Sequence, residues 1–110
     1  MSLERVFKAL LSLGISVTDA QVYIHLAIKG PKQAGNIIIN KKVTKQQIHR
    51  SLQRLYNKKI ILLNDEYPPE FSALPFEEVL DMLIKIKKKQ ALTIKKRRKK
   101  ILSSWEANDE

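Results

Sequence analysis

Thr44, Lys45, Gln46, Gln47, His49, Arg50, Gln53, Arg54, Asn57 and Lys58 fall in one stretch that holds no carboxylate. Within it Ile48, Leu52 and Leu55 recur at i, i+4 and i+7, the spacing of one apolar helix face. Thr44-Lys45-Gln46-Gln47 is a capping-box pattern, so the spacing predicts a helix from Thr44 to about Lys58. With the apolar stripe turned inward, Lys45, Gln46, His49, Arg50, Gln53, Arg54 and Asn57 lie on the opposite surface. That set suits the edges and phosphates of a nucleic acid. Gln can bond adenine at two points and Arg can do so with guanine, while Lys and Arg reach phosphates. The helix N-terminus at Thr44 also offers backbone N–H groups to a phosphate. The expected binding residues are therefore Thr44, Lys45, Gln46, Gln47, His49, Arg50, Gln53, Arg54 and Lys58.

Other chemistry has little to build on. There is no Cys, which excludes a disulfide framework, a thiolate zinc site and a Cys nucleophile. His25 and His49 are the only histidines, and His25 is expected to be structural or at the surface. Glu77, Glu78 and Asp81 suit the first turns of a helix, where the backbone dipole favours negative charge. No pair of carboxylates reads as an acid/base couple, and no Gly-rich phosphate loop is present. Neither an enzyme, a cofactor, a metal site nor a small-molecule ligand is expected.

The 110 residues hold 21 Lys and Arg against 11 Asp and Glu, a net charge of +10. All of that excess sits between Met82 and Trp105, where ten basic residues occur with no acidic one; the rest of the chain is balanced. The balanced part is uneven too, since nine Lys and Arg but no carboxylate fall between Asp19 and Asp65. Two anion-seeking surfaces are expected, because blocks of like charge repel one another or bind something. The start of the chain lacks the basic-then-apolar order of a signal peptide, and no apolar run reaches the roughly 18 residues of a membrane span. A cytoplasmic, nucleoid-associated protein is expected, with no membrane partner.

The elements that must carry these groups follow from periodicity. Leu3, Val6, Phe7, Leu10 and Leu11 predict a first helix, stopped by Gly14. Thr18-Asp19-Ala20-Gln21 reads as a capping box opening a second helix, with Val22, Tyr23, Leu26 and Ala27 on its apolar face and Gly30-Pro31 at its end. Gln33 to about Ile39 reads as a third, short helix, although three consecutive Ile also suit a strand. After the helix opening at Thr44, Ile60–Leu63 and Phe71–Leu74 predict a hairpin around the turn residues Asn64–Pro69. Pro75 suits the entry to a final helix running from Phe76 past Ile101. The fold class is mainly α: a winged helix-turn-helix with a two-stranded β-wing and a long C-terminal dimerisation helix. The expected division is a DNA-binding domain over 1–75, a long basic helix over 76–105 and an acidic tail over 106–110.

Leu13-Gly14-Ile15-Ser16, followed by Thr18-Asp19-Ala20-Gln21-Val22-Tyr23, Leu26 and Gly30-Pro31, resembles the opening of the winged-helix domain in TrmB-type archaeal transcriptional regulators. Val43 to Leu55 is similar to that family's recognition helix, Ile60-Ile61 to its first wing strand, and Phe71-Ser72-Ala73-Leu74-Pro75 to the exit from its wing. The resemblance spans about residues 3–85 and implies dimeric, sequence-specific binding of double-stranded DNA. It does not extend to the family's sugar-binding domain, since the chain ends where that domain would begin, so sugar sensing is not implied. Three local departures stand out. Asn40-Lys41-Lys42 replaces the usual Gly before the recognition helix, with Asn40 the expected left-handed residue. Lys59 replaces the Gly that follows that helix. The wing tip carries Asp65 and Glu66 instead of cations, which disfavours phosphate contact there and leaves Lys58, Lys59 or Tyr67 to substitute.

The final helix offers two heptad frames. Val79, Leu83, Ile86, Gln90, Thr93, Arg97 and Lys100 hold three apolar residues, whereas Leu80, Ile84, Lys87, Ala91, Ile94, Arg98, Ile101 and Trp105 hold six. A helix of about 28 residues extends about 42 Å, farther than one small domain can cover. A homodimer seam of Leu80, Ile84, Ala91, Ile94, Ile101 and Trp105 is therefore expected, with Val79, Leu83 and Ile86 packing on the chain's own core. Two other functions remain open on sequence: a sequence-tolerant architectural nucleic-acid binder, and a winged-helix interaction module with an acidic protein partner.

Overall fold

The computed structural model describes residues 3–108. Helix α1 (Leu3–Ser12) buries Leu10 and half-buries Val6, Phe7 and Leu11. It ends in a Schellman turn: the Ile15 N–H donates to the Leu10 carbonyl and the Gly14 N–H to the Leu11 carbonyl, both at 3.0 Å. That turn needs a left-handed residue, and Gly14 supplies it at φ 92°.

Helix α2 (Val17–Lys29) buries Val22, Tyr23 and Leu26, with Ala27 left at the surface. Its cap is Ser16, whose hydroxyl accepts from the Asp19 N–H at 3.2 Å. The box expected at Thr18 does not form, because the helix is already under way at Val17 and Thr18 lies within its first turn. The third helix expected over 33–39 is a single 3-10 turn, Ala34–Asn36. Extended backbone takes over at Ile37, which plugs the core, while Ile38 faces solvent. Three β-branched residues in a row favour this over helix.

Helix α3 (Lys45–Asn57) leads into strand β1 (Ile61–Leu63), which pairs antiparallel with β2 (Phe71–Ala73) in the register Ile61↔Ala73, Leu62↔Ser72, Leu63↔Phe71. Lys32 adds a bridge on the other edge of β2, with the Phe71 N–H donating to its carbonyl at 2.7 Å and its own N–H donating back at 3.0 Å. The Tyr23 hydroxyl donates to the Leu74 carbonyl at 2.6 Å and so ties α2 to the exit of the hairpin. Burial pushes that phenol up to about 12. One core holds these pieces together, with Ile15, Ile48, Leu52, Leu55, Ile60, Ile61 and Val79 all nearly inaccessible.

Helix α4 (Phe76–Lys96) buries Val79 and Leu83 on this core. Beyond Ile84 every described residue is exposed. The single long helix expected past Ile101 is broken: α4 ends at Lys96, Arg97 sits at φ −98°, ψ 7°, and a second helix, α5, spans Arg98–Ala107. No Gly or Pro causes this. Lys95 to Lys100 are six consecutive cations, which place like charges three and four residues apart across the joint. Arg98, Lys99 and Lys100 also occupy the first turn of α5, where the backbone dipole disfavours positive charge. The acidic tail expected from 106 begins inside α5, which includes Glu106 and Ala107; Asp109 and Glu110 lie outside the described residues.

Candidate nucleic-acid interface

Helix α3 starts with both halves of its capping box in place. The Thr44 hydroxyl accepts from the Gln47 N–H at 3.1 Å, and the Gln47 carbonyl oxygen accepts from the Thr44 N–H at 2.8 Å. Before it, the Asn40 side chain accepts from the Lys42 N–H at 2.8 Å, an Asx turn. Asn40 is not left-handed as expected; its side chain makes the turn that a glycine would make with its backbone. The left-handed residue is Lys59, at φ 63°. It closes α3 with the same Schellman pattern as Gly14, the Lys59 N–H donating to Tyr56 at 2.9 Å and the Ile60 N–H to Leu55 at 3.0 Å. Ile60 is thereby driven into the core and aims the hairpin.

The inward face of α3 holds Ile48, Leu52, Leu55 and also Ser51. On the far side Gln46, Arg50, Gln53 and Asn57 recur at i, i+4, i+7 and i+11, all exposed, with Lys45 and His49 flanking them. This line extends about 16 Å along the axis. Gln47 stands apart, its carbonyl oxygen spent on the cap.

Arg54 was expected on the same outer surface, and the structure turns its guanidinium inward instead. Its Nη2 donates to Asp19 Oδ1 at 2.7 Å and its Nε to Asp19 Oδ2 at 3.0 Å, with the Ser51 hydroxyl donating to the same carboxylate. The pair is lopsided: the Asp19 side chain is 2 % exposed and that of Arg54 47 %. Burial works to raise the Asp19 pKa. The hydrogen bonds from Arg54 and Ser51, the guanidinium charge and the Ser16 hydroxyl together outweigh it, and the carboxyl is held below its ordinary value. The Asp19 hydrogen bond in turn raises Arg54, against a smaller opposing effect of burial. Asp19 and Ser51 are the residues that sequence reasoning missed. The signal was there: Asp19, Val22, Tyr23 and Leu26 share one helical spacing, which puts a carboxylate on an apolar face. A buried carboxylate must find a partner.

The hairpin projects beside α3. Its tip closes with the Asn64 side chain accepting from the Glu70 N–H at 3.0 Å, and Asp65, Glu66 and Tyr67 are exposed on it. Lys58 and Lys59 are exposed at the junction of α3 and the hairpin. His25 lies elsewhere, half-buried on α2 beside Ile24, Ile28 and Ile39. Burial, then the charges of Lys29 and Lys32, lower its pKa. Of the residues expected at a C-terminal seam, Leu80 and Ile84 are half-buried, while Ala91, Ile94, Ile101 and Trp105 are exposed. Ile86, expected on the chain's own core with Val79 and Leu83, is 42 % exposed.

Helices α1–α3 followed by a two-stranded hairpin, with the polar face of α3 presented outward, define a winged helix-turn-helix, a DNA-binding architecture. The chain belongs to the TrmB family of transcriptional regulators: the family described as "Sugar-specific transcriptional regulator TrmB" matches residues 9–77, more than half of its length. No curated protein and no solved structure matches it. The matched span runs from α1 through the hairpin to the first residues of α4, so it contains all of the candidate interface. Among the described residues no helix is long and apolar enough to cross a membrane.

Proposed function

We propose that the protein is a homodimeric regulator that reads double-stranded DNA with α3 in the major groove. One observation carries this reading: Gln46, Arg50, Gln53 and Asn57 form an exposed line, free of carboxylates, on a helix whose opposite face is locked into the core. The major groove is wide enough to admit such a helix, and each bidentate side-chain–base pair discriminates by about 1–3 kcal/mol. Lys45, His49 and Lys58 flank the line and suit phosphates, as does the amide-rich first turn at Thr44. Residues 1–75 form the DNA-binding unit in this reading, and 76–105 the dimerisation segment. Ile86, Ile94, Ile101 and Trp105 are large and exposed on α4 and α5, and a second copy is the economical cover. A two-fold dimer also sets two α3 helices on successive major grooves.

Selection of bound duplexes from a random pool tests the reading. The parent protein should enrich a two-fold-related pair of half-sites about 10 base pairs apart, centre to centre. Gln46→Ala and Arg50→Ala should each change the preferred bases. Enrichment of an unchanged motif by both variants would remove α3 from base contact.

A further inference from the structure

The cations of α4 and α5 lie outside the span that matches the family, and neither the core nor the α3 surface uses them. We propose that the segment Lys85–Lys100 is a second, sequence-independent DNA-binding surface that takes the phosphate backbone of a duplex. It does not rest on base reading by α3, because a different set of residues carries it.

Ten Lys and Arg occur there without a carboxylate, and among the described residues none of the ten is ion-paired. At helical rise they occupy about 22 Å of axis, one positive charge per roughly 2 Å. Duplex DNA carries one negative charge per about 1.7 Å of its own axis. The two densities are close, and the spacing within the segment is well inside the Debye length of about 10 Å at 0.1 M salt. Such a block is poor design for a merely solvated face, where acidic residues at i+4 would relieve the repulsion and support the helix. A polyanion laid along the segment would relieve that repulsion.

Of the ten cations only Lys87 and Arg98 fall in the heptad frame of the expected dimer seam. Val79, Leu83, Ile86 and Ile94 share one stripe of α4, of which the first two are buried in the core. By helical spacing Lys85, Lys88, Lys95 and Lys96 point away from that stripe. A dimer joined through the exposed Ile86 and Ile94 would still carry Lys85 and Lys96 on its outward side. Duplex DNA is favoured over an acidic protein because two dense cation blocks, Lys85–Lys89 and Lys95–Lys100, follow each other over about four helical turns with no carboxylate within or between them, as contact with a long polyanion requires.

The test is anisotropy of a labelled random-sequence duplex, titrated with the full chain between 50 and 200 mM salt. Three proteins are compared: the parent, a variant with Lys95, Lys96, Lys99 and Lys100 all replaced by Gln, and Gln46→Ala/Arg50→Ala. Gln keeps helix propensity near that of Lys and Arg, and far-UV circular dichroism verifies that each variant is folded. The quadruple variant should bind at least about tenfold more weakly at 50 mM salt, with a log–log salt slope shallower by about 3–4. The α3 variant should keep most of the parent's slope on random duplex. Lys96→Ala alone should weaken all sequences alike and reduce the slope by about 1. Parental affinity and slope in the quadruple variant would overturn the proposal. So would equal competition, at matched charge, by polyglutamate, single-stranded RNA or anionic vesicles. Failure of the motif selection leaves these outcomes unaffected, so the two readings fall separately.

Discussion

Arg54 shows how a single carboxylate decides what a cation is for. On the sequence it belongs with Arg50 on the outer face of α3; in the fold it clamps α3 to α2 through Asp19. The clamp is asymmetric, since Asp19 is buried and Arg54 half-exposed. Arg54→Ala strands a buried charge and should destabilise by about 3 kcal/mol. Asp19→Asn leaves a guanidinium that can swing into water, and should cost less, about 1–2 kcal/mol. Urea denaturation of both variants measures the order. The pH dependence has a definite sign. Asp19 is depressed in the folded protein, so its contribution is complete above the ordinary carboxylate value of 3.8 and is lost as pH falls through its lower folded value. Asp19→Asn should therefore lose less stability than the parent over that acid range. Lys59 makes an opposite prediction. A left-handed non-glycine residue is strained by about 1–2 kcal/mol, so Lys59→Gly should raise stability by about 0.5–1 kcal/mol net of the added chain entropy. A fall in the urea midpoint would mean that the Lys59 side chain has a compensating contact.

Helices α1 and α3 end with the same hydrogen-bond pattern, yet only α1 has a glycine to do it. The geometry is thus set by the need to bury Ile15 and Ile60 just past each helix, and the residue at the turn accommodates it. At the start of α3, Thr44→Ala should cost about 1 kcal/mol, because it leaves the Gln47 N–H without its acceptor. Helices α4 and α5 are governed by what they fail to bury. If a second copy covers their apolar residues, Ile94→Asp with Ile101→Asp should give a monomer by sedimentation velocity. It should also weaken binding to paired half-sites while sparing a single half-site. A dimer of unchanged stability would move the interface elsewhere on the molecule.

At the scale of the whole molecule, charge is sorted along the chain. The winged-helix body over 1–75 carries 11 Lys and Arg against 5 Asp and Glu, while the window from Met82 to Trp105 carries ten cations and no carboxylate. The molecule is long, 54 by 30 by 30 Å. Much of this was legible from residue order alone. The stripe Ile48–Leu52–Leu55 fixed which side of α3 faces out, and the two apolar runs around Asn64–Pro69 fixed the hairpin. These are local properties, in which side-chain spacing and turn chemistry act within a few residues. What the tertiary structure decided depends on partners distant in sequence. Asp19 and Arg54 are 35 residues apart, and only the packing of α2 on α3 makes them a pair. The stretch 33–39 could be helix or strand until Ile37 was required in the core and Lys32 at the edge of β2. Asn40 and Lys59 exchanged roles for a like reason: a backbone turn is set by where the next buried side chain must land, and a sequence names the candidates without saying which one the core will claim.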